Sequence, residues 1–200
     1  MTDNVLHLAS ASPRRREILQ SLGLHFTFAG VDVDEQRLDG EAGDTMALRL
    51  AVAKAKAAEL DISHGTVILA ADTVVTLGEA VFGKPGSQRD ALHMLAELSE
   101  QSHSVVTAVA VLHHGEVSTA VSESIVRFRA INPDEAAQYW QSGEPRDKAG
   151  AYAIQGKGGI FVESLSGSYS GVVGLPVFET ARLLRESGIH VLAPTGTKTQ

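Results

Sequence analysis

Cysteine is absent from the 200-residue chain. Disulfides, thiolate metal sites and cysteine nucleophiles are therefore excluded together, in accord with a reducing compartment. Aromatic residues are scarce, at 5%, so the core must be built mainly from Ala, Val and Leu, a composition that suits α/β layers. No apolar run approaches the length that spans a bilayer, and the opening MTDNVLHLAS lacks a basic segment followed by an uninterrupted apolar stretch. A cytoplasmic location without a membrane partner is the expectation. Positive charge is in deficit, with 17 Lys and Arg against 24 Asp and Glu and a net charge of −7. That balance argues against a surface for polymeric nucleic acid and requires any anionic ligand to meet a local basic cluster. Also missing are a GxxxxGK[ST] loop, a GxGxxG after a strand and, among eight histidines, any HExxH spacing. Their absence speaks against a P-loop NTPase, a Rossmann dinucleotide enzyme and a compact histidine metal site.

What is present fits one domain. A hydrophobic fraction of 44% over this length buries a substantial core. A single unit is expected over residues 1–193, with two small lobes compatible with its size and a polar, non-periodic tail at 194–200. Periodicity predicts a strand at residues 5–9, then a helix to about Leu22 opened by Ser12 as cap and Pro13 in its first turn. A loosely alternating strand follows at 26–33, then an Ala-rich helix at 44–60 entered through Asp44 and Thr45. Residues 67–77 form the most apolar strand, with Asp72 its one charge. Further along are a helix at 87–98, paired strands at 105–112 and 117–128, and a helix at 133–141. A glycine-rich stretch of short strands and turns at 150–174 precedes a last helix at 175–186.

Four segments carry candidate chemistry. Arg14, Arg15 and Arg16 fall in the first turn of a helix, where the backbone dipole already favours anions and local stability would place acids. Exposed N–H groups and guanidinium forks there suit a phosphate cradle, although a solvated basic turn explains the run equally well. Asp72, alone in an apolar strand, needs compensation by a metal ion or a basic side chain. So held, it could orient or deprotonate water; otherwise it caps a neighbouring loop. Lys54 continues the spacing of Met46 and Leu50 and should point inward, whether as a ligand or by running along the core edge. Glu35 and Lys84 are individually weak loop candidates. In the fourth segment, residues 144–156, small residues bring backbone close to a cleft. Its Gln155 amide could read a base edge or merely close a turn.

In combination these segments resemble the Maf family: Leu8-Ala9-Ser10 to Arg15, Asp34-Glu35, Lys54, Ala71-Asp72-Thr73, Gly83-Lys84-Pro85, His103 to Thr107, and the block from Asp147 to Gly174. The resemblance runs from residue 5 to about 185. It implies an α/β fold of the Maf and inosine-triphosphatase kind, a mixed sheet with flanking helices and two lobes around a deep cleft. It also implies a homodimer, a divalent cation (Mg²⁺ or Mn²⁺), and hydrolysis of nucleoside triphosphates to monophosphate and pyrophosphate. By position, Arg14, Arg15, Lys54 and Lys84 look like triphosphate contacts, Glu35 a metal-associated acid, and Asp72 the base and a second metal contact. Arg14, Thr73 and Gln155 occupy positions the family associates with substrate choice. Ile154-Gln155-Gly156 looks like the dTTP/UTP subgroup, whereas the 7-methyl-GTP subgroup tends to be acidic near Gln155. Glu100 departs from the family pattern, in which glycine commonly follows the Leu-Ser pair. The rival expectation is a nucleotide-binding regulator of septum formation, which needs the basic cradle but not Asp72.

Overall fold

The computed structural model describes residues 5–63 and 65–192; the expected tail lies outside them. The chain forms a seven-stranded mixed sheet flanked by helices. Its strands are β1 (Leu6–Ala9), β2 (Phe26–Ala29), β3 (Val67–Leu77), β4 (Ala80–Phe82), β5 (Ser102–His113), β6 (Glu116–Phe128) and β7 (Val162–Ser166). They run in the order β2-β1-β3-β5-β6-β7, with β4 also paired to β3. β1 is parallel to both β2 and β3, and every other pairing is antiparallel. The helices are α1 (Pro13–Ser21), α2 (Gly43–Glu59), α3 (Gln88–Leu98), α4 (Pro133–Gln141), α5 (Tyr169–Val173) and α6 (Val177–Glu186). The α/β expectation therefore holds.

Alternation along β3 and β5 sorts the core. Ile68, Ala70 and Val74, with Val106, Ala108 and Ala110, pack on the alanine stripe Ala47, Ala51, Ala55 and Ala58 of α2. Those alanines are small enough to seat the helix close to the sheet. Val67, Leu69 and Ala71 face the other way, toward Leu19 of α1 and Leu183 and Leu184 of α6. A third cluster joins Val75 and Phe82 to α3, α4, Tyr152 and Phe161.

Several boundaries move for reasons a local pattern does not contain. β2 stops at Ala29 rather than Val33 because its partner stops: Ala9 pairs with Ala29, and β1 ends there. β5 starts at Ser102 because β6 extends to pair with it, Ser102 opposite Arg127. α2 begins at Gly43 with Ala42 at its cap and no side-chain cap bond, while Asp44 accepts from the N–H of Thr45 instead. α6 begins at Val177, after Pro176. The glycine-rich stretch holds β7, short 3-10 turns and the unexpected α5. Glu100 adopts φ 59°, the left-handed region in which a glycine would be unstrained.

Candidate active site

The sheet has a slot in it. β1 pairs with β3 at Leu6↔Val67 through Leu8↔Leu69, and β4 pairs with the same edge only from Val75 to Leu77. Between these pairings Ala71, Asp72 and Thr73 are backed by β5 alone among the described strands. The slot opens beyond the carboxyl end of β1, where the connections run to β2 on one side and β3 on the other, the usual place for a ligand in an α/β sheet. A cavity of about 400 Å³ lies there, in the range of small-molecule sites. It is lined by Arg14, Arg15, Glu35, Lys54, Asp72, Thr73, Lys84 and Gln155, but not by Arg16, the third arginine of the run.

Asp72 shares the α2-facing side of β3 with Ala70 and Val74, so it looks toward the alanine stripe in which Lys54 is the one cation. Lys54 Nζ donates to Asp72 Oδ1 and to Glu35 Oε1, each at 2.6 Å. Asp72 and Lys54 are both buried, at 9% exposure, so each supplies the partner the other needs. Glu35 lies at the rim and also accepts from Lys84 Nζ at 3.3 Å. Burial pushes the Glu35 carboxyl up, but the hydrogen bond and charge of Lys54, aided by Lys84, outweigh it and hold the group below its ordinary range. Lys54 thus points inward as expected, but it bridges two acids and is less available to phosphate than the sequence suggested.

At α1, Ser12 caps the helix by accepting from the N–H of Arg15, and Pro13 occupies the first turn. The three arginines then diverge. Arg14 lines the cavity. The guanidinium of Arg16 lies 4.3 Å from the centre of the Phe28 ring on β2. Arg15 donates through Nε to Gly174 O at 2.8 Å, through Nη1 to Ser10 Oγ at 3.2 Å and through Nη2 to Thr73 Oγ1 at 3.3 Å. Burial lowers its pKa. Its side chain ties α1 to β3 and to the end of α5, a bracing role that a phosphate contact alone would not require. Thr73 Oγ1 lies 2.9 Å from Thr107 Oγ1, directly across the ladder, and Thr107 donates to Gly171 O at 2.8 Å.

Two anchoring pairs were not foreseen. Glu41, buried despite its charge, receives Arg49 through both carboxylate oxygens at 2.6 and 2.8 Å and the N–H of Leu38 at 3.1 Å. Arg49 also donates to Gln36 O at 3.0 Å, so α2 holds the chain that follows Glu35 at two points. The Arg49 hydrogen bonds hold the Glu41 carboxyl down, to about 2. Tyr139 and Glu144 form the second pair, beneath the segment that carries Gln155. The one legible trace of the first was the spacing of Glu41 and Arg49 across the start of α2. Of the second, Glu144 opens the fourth candidate segment, but nothing in the sequence links it to Tyr139.

Among the described residues no three His, Asp or Glu side chains form a ready metal cage. Glu35 and Asp72 nevertheless bring two hard oxygen donors to one cation position, now filled by Lys54 Nζ. Two carboxylates completed by phosphate oxygens and water are a normal shell for Mg²⁺, so the donor set fits a divalent ion that arrives with a triphosphate.

A family profile described as Maf-like protein matches residues 5–187. A dTTP/UTP pyrophosphatase of Pseudoalteromonas atlantica is 47% identical over 183 residues, covering 90% of this chain and 95% of its own. One of Methylococcus capsulatus is 48% identical, covering 94% and 93%. A solved structure of a nucleoside-triphosphatase, dITP/XTP pyrophosphatase, from Mycobacterium abscessus covers 62% of this chain and 72% of its own at 16% identity and a TM-score of 0.37. That likeness is too loose to bear on function. The sequence relatives and the profile span nearly the whole chain, and the chain belongs to the Maf-like family.

Proposed function

We propose that the chain hydrolyses dTTP and UTP to the nucleoside monophosphate and pyrophosphate, acting as a cytoplasmic homodimer as the family resemblance implies. The observation that carries the reading is the convergence of Glu35, Lys54 and Asp72 at the open edge of β3, in a cavity shared with Arg14, Lys84 and Gln155. The relatives named above bear the same activity in their names.

In this reading Arg14 and Lys84 bind the triphosphate, and Arg15 holds Thr73 and the α5 end in place. Glu35 and Asp72 would hold Mg²⁺ or Mn²⁺, which when bound neutralises phosphate charge. In the free protein Lys54 occupies the position such an ion would take and donates to Asp72 Oδ1, while Oδ2 accepts nothing among the described residues. In this reading that second oxygen takes a proton from water as the water oxygen bonds to the α-phosphorus. The bond from the α-phosphorus to the bridging oxygen breaks, and pyrophosphate leaves with its charge met by Arg14 and Lys84. Gln155 offers one acceptor and two donors. A planar amide answers both N3–H and O4 of thymine or uracil, whereas cytosine reverses the 4-position and lacks the N3 proton.

A panel of dTTP, UTP, CTP and 7-methyl-GTP, with and without added divalent cation, tests this when the products are identified. Thymidine and uridine monophosphates plus pyrophosphate are expected. Tight binding without turnover would assign the cavity to a regulator, and a diphosphate plus orthophosphate would refute the reaction type.

A further inference from the structure

Gln155 is exposed and lies in an irregular segment between two 3-10 turns, so something must aim its amide if it is to discriminate bases. Beneath that segment sit two side chains that do not line the cavity. Tyr139, on the last turn of α4, is buried at 5% exposure. Its hydroxyl donates to Glu144 Oε1 at 2.7 Å and accepts from the N–H of Ala153 at 3.1 Å. Glu144 then accepts from the N–H of Lys157 at 3.0 Å and of Gly158 at 2.9 Å. The two side chains therefore grip the backbone on both flanks of Gln155. Gly156 between them takes φ 140°, and a Cβ there would stand 2.5 Å from Glu144 Oε2. The φ favours glycine there, and a Cβ would displace the Glu144 carboxylate from its amide partners.

We propose that Tyr139 and Glu144 are positioning residues for base selection: the pair clamps residues 153–158 so that the Gln155 amide meets the 3- and 4-positions of a pyrimidine base. The proposal rests on the pyrimidine pyrophosphatase reading given above. A carboxylate is the right group for the clamp because it only accepts, and both backbone partners only donate. Burial pushes the Glu144 carboxyl up, but the Gly158 and Lys157 amides and the Tyr139 hydroxyl outweigh it and hold the group ionised at neutral pH. In Glu144→Gln the new NH₂ must face one donor with another, so the clamp opens with little change in volume.

The test is a double-mutant cycle of Glu144→Gln and Gln155→Ala, read as kcat/KM for dTTP, UTP and CTP, with hydrogen exchange of residues 153–158 followed in parallel. Glu144→Gln should lower kcat/KM for dTTP and UTP about tenfold, chiefly through KM, while CTP changes less than about threefold. Exchange at residues 153–158 should quicken while α2 and β3 keep their protection. In the Gln155→Ala background, Glu144→Gln should leave the dTTP/CTP ratio where Gln155→Ala alone puts it. Glu144→Asp, which keeps an acceptor-only group, should restore part of the selectivity. An equal loss on all three substrates, a ratio effect that adds in full to that of Gln155→Ala, or unchanged exchange at residues 153–158 would overturn the proposal. Should Glu144→Gln fail to fold, Tyr139→Phe, which removes the Ala153 and Glu144 contacts together, runs through the same cycle. Failure of the underlying reading shows separately, as a wild type without dTTP turnover or pyrimidine preference, and that too overturns the proposal.

Discussion

Asp72 replaces an apolar residue on a face otherwise made of Ile68, Ala70 and Val74, and only its pairing with Lys54 makes that burial tolerable. Asp72→Asn keeps shape and leaves Lys54 its bond to Glu35, so the protein should fold with near-normal Tm. Turnover of dTTP should fall at least roughly 100-fold, the usual cost of losing a general base. Near-normal turnover in the folded variant would remove Asp72 from the chemistry. The arginine run divides in the same residue-by-residue way. Arg14 lines the cavity and Arg16 stacks on Phe28, so Arg14→Ala should raise KM for dTTP about tenfold or more, the scale of a lost charged hydrogen bond, and Arg16→Ala should leave it within about twofold. Equal effects in steady-state kinetics would mean that α1 presents a different face to the ligand. The identities of these residues were readable from charge in unexpected places: cations at a helix N-terminus, an acid in an apolar strand, a lysine in an alanine stripe. Their partners were not, because Lys54 reaches Glu35 and Arg15 reaches Gly174 only through long-range packing.

At the scale of elements, the long periodic segments α2, β3, α3, β6 and α4 lie close to where hydrophobic spacing puts them, since each has an apolar face long enough to impose its period. Short elements are set by neighbours instead. β2 ends with β1, and β4, three residues long, exists because β3 outruns β1 and leaves an edge to pair. The glycine-rich block has no period at all, and its 3-10 turn at Lys157–Phe161 begins where Glu144 accepts from the N–H groups of Lys157 and Gly158. The turn from α3 into β5 carries visible strain, with exposed Glu100 at φ 59°, as do His114 at φ 52° and Ala151 at φ 57° elsewhere in the chain. Glu100→Gly should raise stability by about 0.5–1 kcal/mol, the relief of the left-handed conformation less the added freedom of the unfolded chain. Thermal unfolding checks this, and a lower Tm would show that the Glu100 side chain contributes something its exposure does not suggest.

Across the whole molecule, one sheet joins two kinds of packing, the alanine-rich contact with α2 and the aromatic cluster around Phe128, Tyr152 and Phe161, and the cavity opens where they meet. His103 sits inside the aromatic cluster at 2% exposure, with Nε2 2.8 Å from Tyr152 Oη. Burial lowers its pKa from the ordinary 6.5 to about 4. A lowered histidine pKa means that the unfolded chain takes up the proton first as pH falls. Stability should therefore be complete above about 6.5 and decline toward about 4, by an amount on the order of 3 kcal/mol from this residue. Urea unfolding across that range should show the decline, and His103→Gln, which can keep the Tyr152 contact without titrating, should flatten it; an unchanged slope would assign the acid sensitivity elsewhere. In the proposed reaction, water directed by Asp72 attacks the α-phosphorus of a pyrimidine nucleoside triphosphate. Hydrolysis of dTTP in ¹⁸O-water, with mass analysis of both products, tests it most directly. One labelled oxygen in thymidine monophosphate and none in pyrophosphate is the predicted result, and label in pyrophosphate or orthophosphate would contradict it.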